Sequence, residues 1–169
     1  MNDRIPRFNE ETLVQETTAA YLVDELGWDM SVNAMDEVFG SEGTLGRESD
    51  REVILTRYLG QKLMELNPGL PAEAYRDAMR IVASSSVSQT LAVTNREKDA
   101  LCREGVEVVY RNEKGERVRK RLRLFDFTHP ENNHFLIVRE FWIRGDIYRR
   151  RADLMGFVNG IPLVFMEVK

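Results

Sequence analysis

The chain has 169 residues, 43% of them hydrophobic and 31% charged, which is enough for one compact domain with a sizeable core. Its formal net charge of −4 excludes a protein that is basic all over, although a local basic stripe remains compatible with that average. No apolar run approaches the ~20 residues needed to span a bilayer. Met1-Asn2-Asp3-Arg4-Ile5-Pro6 lacks the apolar segment of a signal peptide, and the lone Cys102 can form no intrachain disulfide, so a cytoplasmic protein without a membrane partner is expected. Cys102 is also a poor nucleophile candidate, since its neighbours read as a helix end and no histidine lies near it in sequence.

The first expected element is a helix. Asn9 suits its N-cap and Glu10 and Glu11 its first turn, where the helix dipole favours anions. Leu13, Val14, Thr17, Ala20 and Tyr21 recur at helical spacing and Gly27 stops the run, with Glu16 on the flank of the apolar stripe, where a solvated edge residue is the ordinary reading. Residues 29–49 read as an irregular connection with a short helical turn at 33–39. Ser49 followed by Glu52 predicts a capping box that opens a helix reaching about Leu66. Pro71 suits the first turn of a third helix to about Ala83, and a fourth covers 87–104. The hydrophobic period then changes to two. Strands are expected over 106–110, 117–125, 135–143, 150–158 and 161–168, with turns at Asn112-Glu113-Lys114-Gly115 and Asn159-Gly160. The fold class that follows is α/β: a helical N-terminal half, then an antiparallel meander in a mixed, mainly antiparallel sheet with flanking helices.

Metal-assisted phosphodiester hydrolysis needs hard oxygen ligands converging on one point, and it benefits from a cation near the attacking water. Glu167 and Lys169 stand two apart at the end of the apolar run Leu163-Val164-Phe165-Met166, and Asp153 lies across the hairpin. An acid and a lysine on one face of such a strand are costly unless they have work there, although a surface hairpin with an incidental Glu167–Lys169 ion pair is the plainer alternative. Register decides between them. A strict two-residue turn at Asn159-Gly160 would place Asp153 opposite Met166, on the wrong face; a three-residue loop or one bulge is required to bring it beside Glu167.

The spacing alone, Asp then about thirteen residues then Glu-x-Lys, is weak, but its surroundings carry a resemblance. The run from Arg150 to Lys169, with Asp153, Asn159-Gly160-Ile161-Pro162-Leu163 and Glu167-Val168-Lys169, is similar to the N-terminal nuclease domain of the restriction (R) subunit of type I restriction-modification enzymes, in the PD-(D/E)xK superfamily. Leu124-Phe125-Asp126-Phe127, Pro130-Glu131-Asn132-Asn133 and Phe135 resemble the same family's upstream segment. The clear resemblance covers about 105–169, and Ala152 stands where the family usually has proline.

The resemblance implies a restriction-endonuclease-like core in which Asp153, Glu167 and the Val168 carbonyl hold Mg²⁺ and Lys169 is the catalytic cation. Glu16 would match a helix glutamate that leans toward the metal. The implied activity is sequence-independent hydrolysis of double-stranded DNA, in a complex with modification and specificity subunits. The implied ATP-driven translocase lies beyond Lys169, because residues 1–169 read as a single domain that ends inside its catalytic motif and contains no G-x-x-x-x-G-K-[ST]. A non-catalytic DNA-binding or assembly domain and a stand-alone nuclease of the same superfamily are the alternatives.

DNA contacts are expected from Arg149, Arg150 and Arg151, which abut Asp153, and from Arg117, Arg119, Arg121 and Arg123 on one face of a strand. That row also fits a solvated strand edge, where charge discourages aggregation. Phe141, Trp142 and Tyr148 read as core or groove lining, and His129 and His134 are remote candidates for a general base.

Overall fold

The computed structural model describes residues 10–84 and 90–168. The expected cap Asn9, the start of the fourth helix and Lys169 lie outside the described residues. Helix α1 spans Glu10–Asp24, but it buries a different face from the one its spacing suggested. Gln15 and Ala19 are buried and Leu22 and Val23 partly so, whereas Leu13, Val14 and Tyr21 are exposed. The methyl of Ala19 packs with Ile137 and Leu154, and a side chain that small allows a helix to approach a sheet closely.

A strand, β1 (Met30–Asn33), stands where an irregular connection and helical turn were expected. It pairs in parallel with β4, Met30 opposite Leu136 and Asn33 opposite Arg139. Four residues are too few to show alternation, and the partner is remote in sequence. The pairing is secured by Phe135, whose N–H donates to Asp29 Oδ2 at 2.7 Å, 106 residues away. The connection that follows is tied to the core by Arg47, which is fully buried. It donates to both carboxylate oxygens of Glu37 (2.8 and 2.5 Å) and to the Glu52 carbonyl (3.0 Å). Its guanidinium lies 4.1 Å from the centre of the Phe141 ring, so this buried charge is paired, hydrogen-bonded and stacked.

Helix α2 spans Thr56–Leu66, which corrects the capping-box expectation. Ser49 and Glu52 shape a preceding turn instead: the Glu52 N–H donates to the Ser49 carbonyl at 3.2 Å, and the Glu52 carboxylate accepts the Glu48 N–H at 3.0 Å. Leu55 is the N-cap, with a non-helical ψ of 86°: its carbonyl accepts the Leu59 N–H at 3.0 Å, and its own N–H, which no helix carbonyl could take, donates to the Gly160 carbonyl at 2.9 Å. Helix α3 (Ala72–Ala83) follows Pro71, and α4 covers Leu91–Glu104.

Strands β2 (Val106–Arg111) and β3 (Arg117–Leu122) form a separate two-stranded antiparallel sheet, so the continuous meander expected from the sequence is divided. Val106, Val108 and Leu122 share a core with Leu59 and Leu63 of α2 and with Tyr75, Ala78 and Val82 of α3. Strands β4 (Phe135–Arg144), β5 (Arg149–Val158) and β6 (Ile161–Met166) continue antiparallel in the main sheet, of order β1-β4-β5-β6. The fold is therefore α/β, with a mixed, mainly antiparallel sheet, flanking helices and a helical N-terminal half.

Candidate functional site

The site is set by the β5–β6 hairpin. Asn159 and Gly160 form its two-residue turn with φ of 52° and 77°, the left-handed pair that matches strand twist. Val158 pairs with Ile161 and Phe157 with Pro162, after which the register shifts: Gly156 pairs with Val164, Met155 with Phe165 and Leu154 with Met166. Leu163 is the extra residue. Pro162 has no N–H to offer the ladder, so a break beside it is the natural place for a bulge. Carried one step past the end of β6, the same register sets Asp153 opposite Glu167. The register required by the sequence argument is the one the chain adopts.

Asparagine side chains hold the turn in place. Asn159 is fully buried; its amide donates to the Leu124 carbonyl at 2.7 Å and to Asn133 Oδ1 at 2.9 Å, and its own Oδ1 accepts the His134 N–H at 2.7 Å. Asn133 in turn bridges the Asp126 N–H and carbonyl at 2.9 and 2.8 Å. The Asn132 amide and the backbone N–H groups of His129 and Thr128 hold the Asp126 carboxyl below the usual carboxylate range. The upstream motif residues are thus a structural clasp on the β5–β6 hairpin.

Asp153 Oδ2 accepts the Val168 N–H at 3.0 Å, and Oδ1 lies 3.9 Å from Arg151 Nη2. Glu167 is exposed and lines an open groove of about 780 Å³ with Tyr148, Arg150, Arg151 and Phe165. Glu16 is not brought to this pair: its carboxylate meets Arg139 Nη1 at 2.8 Å. Among the described residues no three His, Cys, Asp or Glu side chains form a metal-holding group. A Mg²⁺ site does not need three, because that ion is commonly held by one or two carboxylates together with waters and substrate phosphates. The donor chemistry of Asp153 and Glu167 fits on this count.

One residue at the site was missed by sequence reasoning. Glu140 on β4 sits between Arg139, paired with Leu154, and Phe141, paired with Ala152, and so lies opposite Asp153. Its backbone is left-handed (φ 58°), it is 6% exposed, and its Oε2 lies 2.7 Å from Arg151 Nε. The same oxygen has no directed hydrogen bond, so the contact is ionic. The available signal was an acid, next to Arg139, between the apolar runs Phe135–Val138 and Phe141–Ile143.

The seven arginines separate by environment. Arg149 meets Asp50 at 2.7 Å and covers the Trp142 ring at 4.2 Å, which makes it a structural anchor. Arg150 is exposed in the groove and has no ion pair among the described residues. Arg119 lies 3.5 Å from Glu107, Arg121 3.0 Å from Glu104, and Arg123 4.0 Å from Asp126. Arg117 has no such partner among the described residues, and Arg117, Arg119 and Arg121 lie on the separate β2–β3 sheet. Phe141 is core, against Phe157, while Tyr148 is exposed in the groove. His129 stands 3.4 Å from Glu131, and His134 stacks on Tyr58 at 5.0 Å, where burial pushes its pKa down.

These features define the class, an α/β domain with paired carboxylates at the end of a bulged hairpin. Residues 7–169 match the family model described as type I restriction enzyme R protein N terminus, and the chain belongs to that family. It is 33% identical over 162 residues to the type I restriction enzyme HindI endonuclease subunit of Haemophilus influenzae, covering 95% of this chain and 15% of the relative. It is 26% identical over 175 residues to the putative type I restriction enzyme MjaIXP endonuclease subunit of Methanocaldococcus jannaschii, covering 100% of this chain and 16% of the relative. The chain therefore spans about 15% of the length of these curated relatives. No solved structure matches it. No helix among the described residues is long and apolar enough to cross a membrane.

Proposed function

We propose that this chain is the DNA-cleaving domain of a type I restriction enzyme R subunit, with a PD-(D/E)xK site that hydrolyses double-stranded DNA in a Mg²⁺-dependent reaction. The observation that supports the reading is the bulge at Leu163, which pairs Met166 with Leu154 where the turn alone would have paired it with Asp153, a register that continues to Asp153 opposite Glu167. Asp153, Glu167 and the Val168 carbonyl would hold the ion, which supplies charge neutralisation at the phosphate and an activated water. The Val168 N–H fixes one Asp153 carboxylate oxygen, and the other faces Arg151 at 3.9 Å. Lys169 is assigned the role of catalytic cation from the motif. Arg150, exposed in the groove and without an ion pair among the described residues, is the best-placed phosphate contact; the β3 arginines are weaker candidates because acids already face most of them.

In the complete polypeptide we place this domain ahead of ATP-driven motor domains, in a cytoplasmic assembly with modification and specificity subunits that choose the DNA. The test is plasmid cleavage by the full-length protein with its partners, Mg²⁺ and ATP. Asp153→Ala and Lys169→Ala are each expected to lower cutting about a hundredfold or more, equivalent to roughly 3 kcal/mol of barrier, with ATPase activity retained. Chelation of the divalent ion should abolish cutting. Full cleavage by both variants would make the hairpin structural and favour a binding or assembly role.

A further inference from the structure

Arg151 is one cation facing two carboxylates. Its Nε is 2.7 Å from Glu140 Oε2 and its Nη2 is 3.9 Å from Asp153 Oδ1. Glu140 is an expensive partner: it is 6% exposed, and its left-handed φ of 58° costs a non-glycine residue on the order of 1 kcal/mol. Its Oε2 has no directed hydrogen bond, so its compensation there rests on the ionic contact with Arg151. Arg151 itself retains 36% side-chain exposure and lines the groove with Arg150 and Glu167. A phosphate in that groove would compete for the same guanidinium, whose planar fork suits it. Once drawn off, Arg151 would leave Glu140, Asp153 and Glu167 in neighbouring positions with less positive charge to offset them.

We propose that Arg151 is an exchangeable counter-ion of the site: positioned by Glu140, it occupies Asp153 until a DNA phosphate in the groove takes it over, and the divalent cation then binds more tightly. DNA and metal binding are thereby coupled through one side chain, and the coupling is reciprocal. The device would keep a nuclease site weakly loaded until its substrate is present. It rests on the reading of Asp153 as a metal ligand, and Glu140 is a positioning residue in it.

The probe is Mn²⁺, followed by electron paramagnetic resonance of the free ion, on the protein without nucleotide and with or without a short DNA duplex. Without DNA, Arg151→Gln is expected to bind Mn²⁺ about tenfold more tightly than wild type, within the usual range for coupled sites. It should also lose the gain in affinity that the duplex confers on wild type. Glu140→Gln should weaken Mn²⁺ binding, because the released guanidinium closes on Asp153. Adding Arg151→Gln to that variant should restore affinity to at least the wild-type level, a rescue that a merely structural Glu140 would not give. Arg151→Met serves as the second variant if the glutamine form does not fold. Unchanged or weaker Mn²⁺ binding by a folded Arg151 variant, or an undiminished duplex effect, overturns the proposal. Asp153→Asn separates it from the reading beneath it. If Mn²⁺ binding survives Asp153→Asn, the metal-site reading fails; if binding is lost there while Arg151 variants match wild type, only the counter-ion role fails.

Discussion

The β2–β3 and β5–β6 hairpins are built from similar turn residues and do different jobs. Each turn carries an asparagine and a glycine with φ of 77°. Asn112 stays local, its Oδ1 accepting the N–H groups of Lys114 and Glu116 at 3.0 and 2.9 Å. Asn159 instead reaches Leu124, Asn133 and His134, all distant in sequence. A β-carbon at Gly115 would meet nothing within 4 Å, whereas one at Gly160 would come within 2.4 Å of the Leu55 carbonyl and 2.9 Å of the Leu59 nitrogen. One turn is a local reversal and the other is a joint between segments. The charges follow the same division: arginines on the first hairpin face Glu104 and Glu107, while the second carries a half-sheltered aspartate whose orientation is fixed by backbone. A site that must hold two carboxylates in register belongs on the anchored hairpin.

Paired substitutions can break or sharpen this contrast. The largest difference is expected for glycine. Gly160→Ala should cost about 3 kcal/mol, combining backbone strain with overpacking, and Gly115→Ala about 1 kcal/mol from the positive φ alone. Equilibrium urea denaturation of each reads the difference, and equal losses would mean that Gly160 is as free as Gly115. Asn159→Ala should cost about 2–3 kcal/mol because it strands a buried carbonyl and a backbone N–H, against about 1 kcal/mol for Asn112→Ala, whose neighbours can turn to water.

The arginines give a smaller, functional contrast. Arg150→Ala should weaken duplex binding and lower the magnitude of its salt slope by about 0.9, the signature of one lost phosphate contact. Arg119→Ala, already faced by Glu107, should leave both unchanged; the reverse result would move the DNA path to the β3 face.

The smallest effect is the pH dependence from His134, whose pKa burial lowers from the ordinary 6.5. As pH falls through that value the unfolded chain takes up the proton first, so stability declines and then levels off below the folded-state pKa. Above 6.5 both states are neutral at this residue and its contribution is flat. Urea midpoints measured on either side of that value should differ in wild type and differ less in His134→Gln.

Much of this was legible residue by residue. The helices α3 and α4, all three later β-hairpin partners and the turn at Asn159-Gly160 follow from periodicity and turn chemistry, which act over a few neighbours. The proposed site residues Asp153 and Glu167 were legible as a pair only conditionally, because their adjacency hangs on a bulge whose sequence trace is a single proline, Pro162. The missed features share one cause. Strand β1 exists because β4 pairs with it, and the residue that caps α2, Leu55, is docked on Gly160, far along the chain. The buried face of α1 was chosen by the sheet beneath it, and Glu140 matters because it lies opposite Asp153.

The sequence by itself determined the α/β class, the positions of most elements, the family and the acids offered as ligands, since all of these are carried by local pattern and motif. Only the tertiary structure decided that most of the arginine row faces its own acids, that the asparagines clasp the hairpin, that Glu16 turns to Arg139, and that Arg151 stands between two carboxylates. Those are questions of which charge meets which. An ion pair acts over a few ångströms of space, and chain separation alone does not reveal that distance.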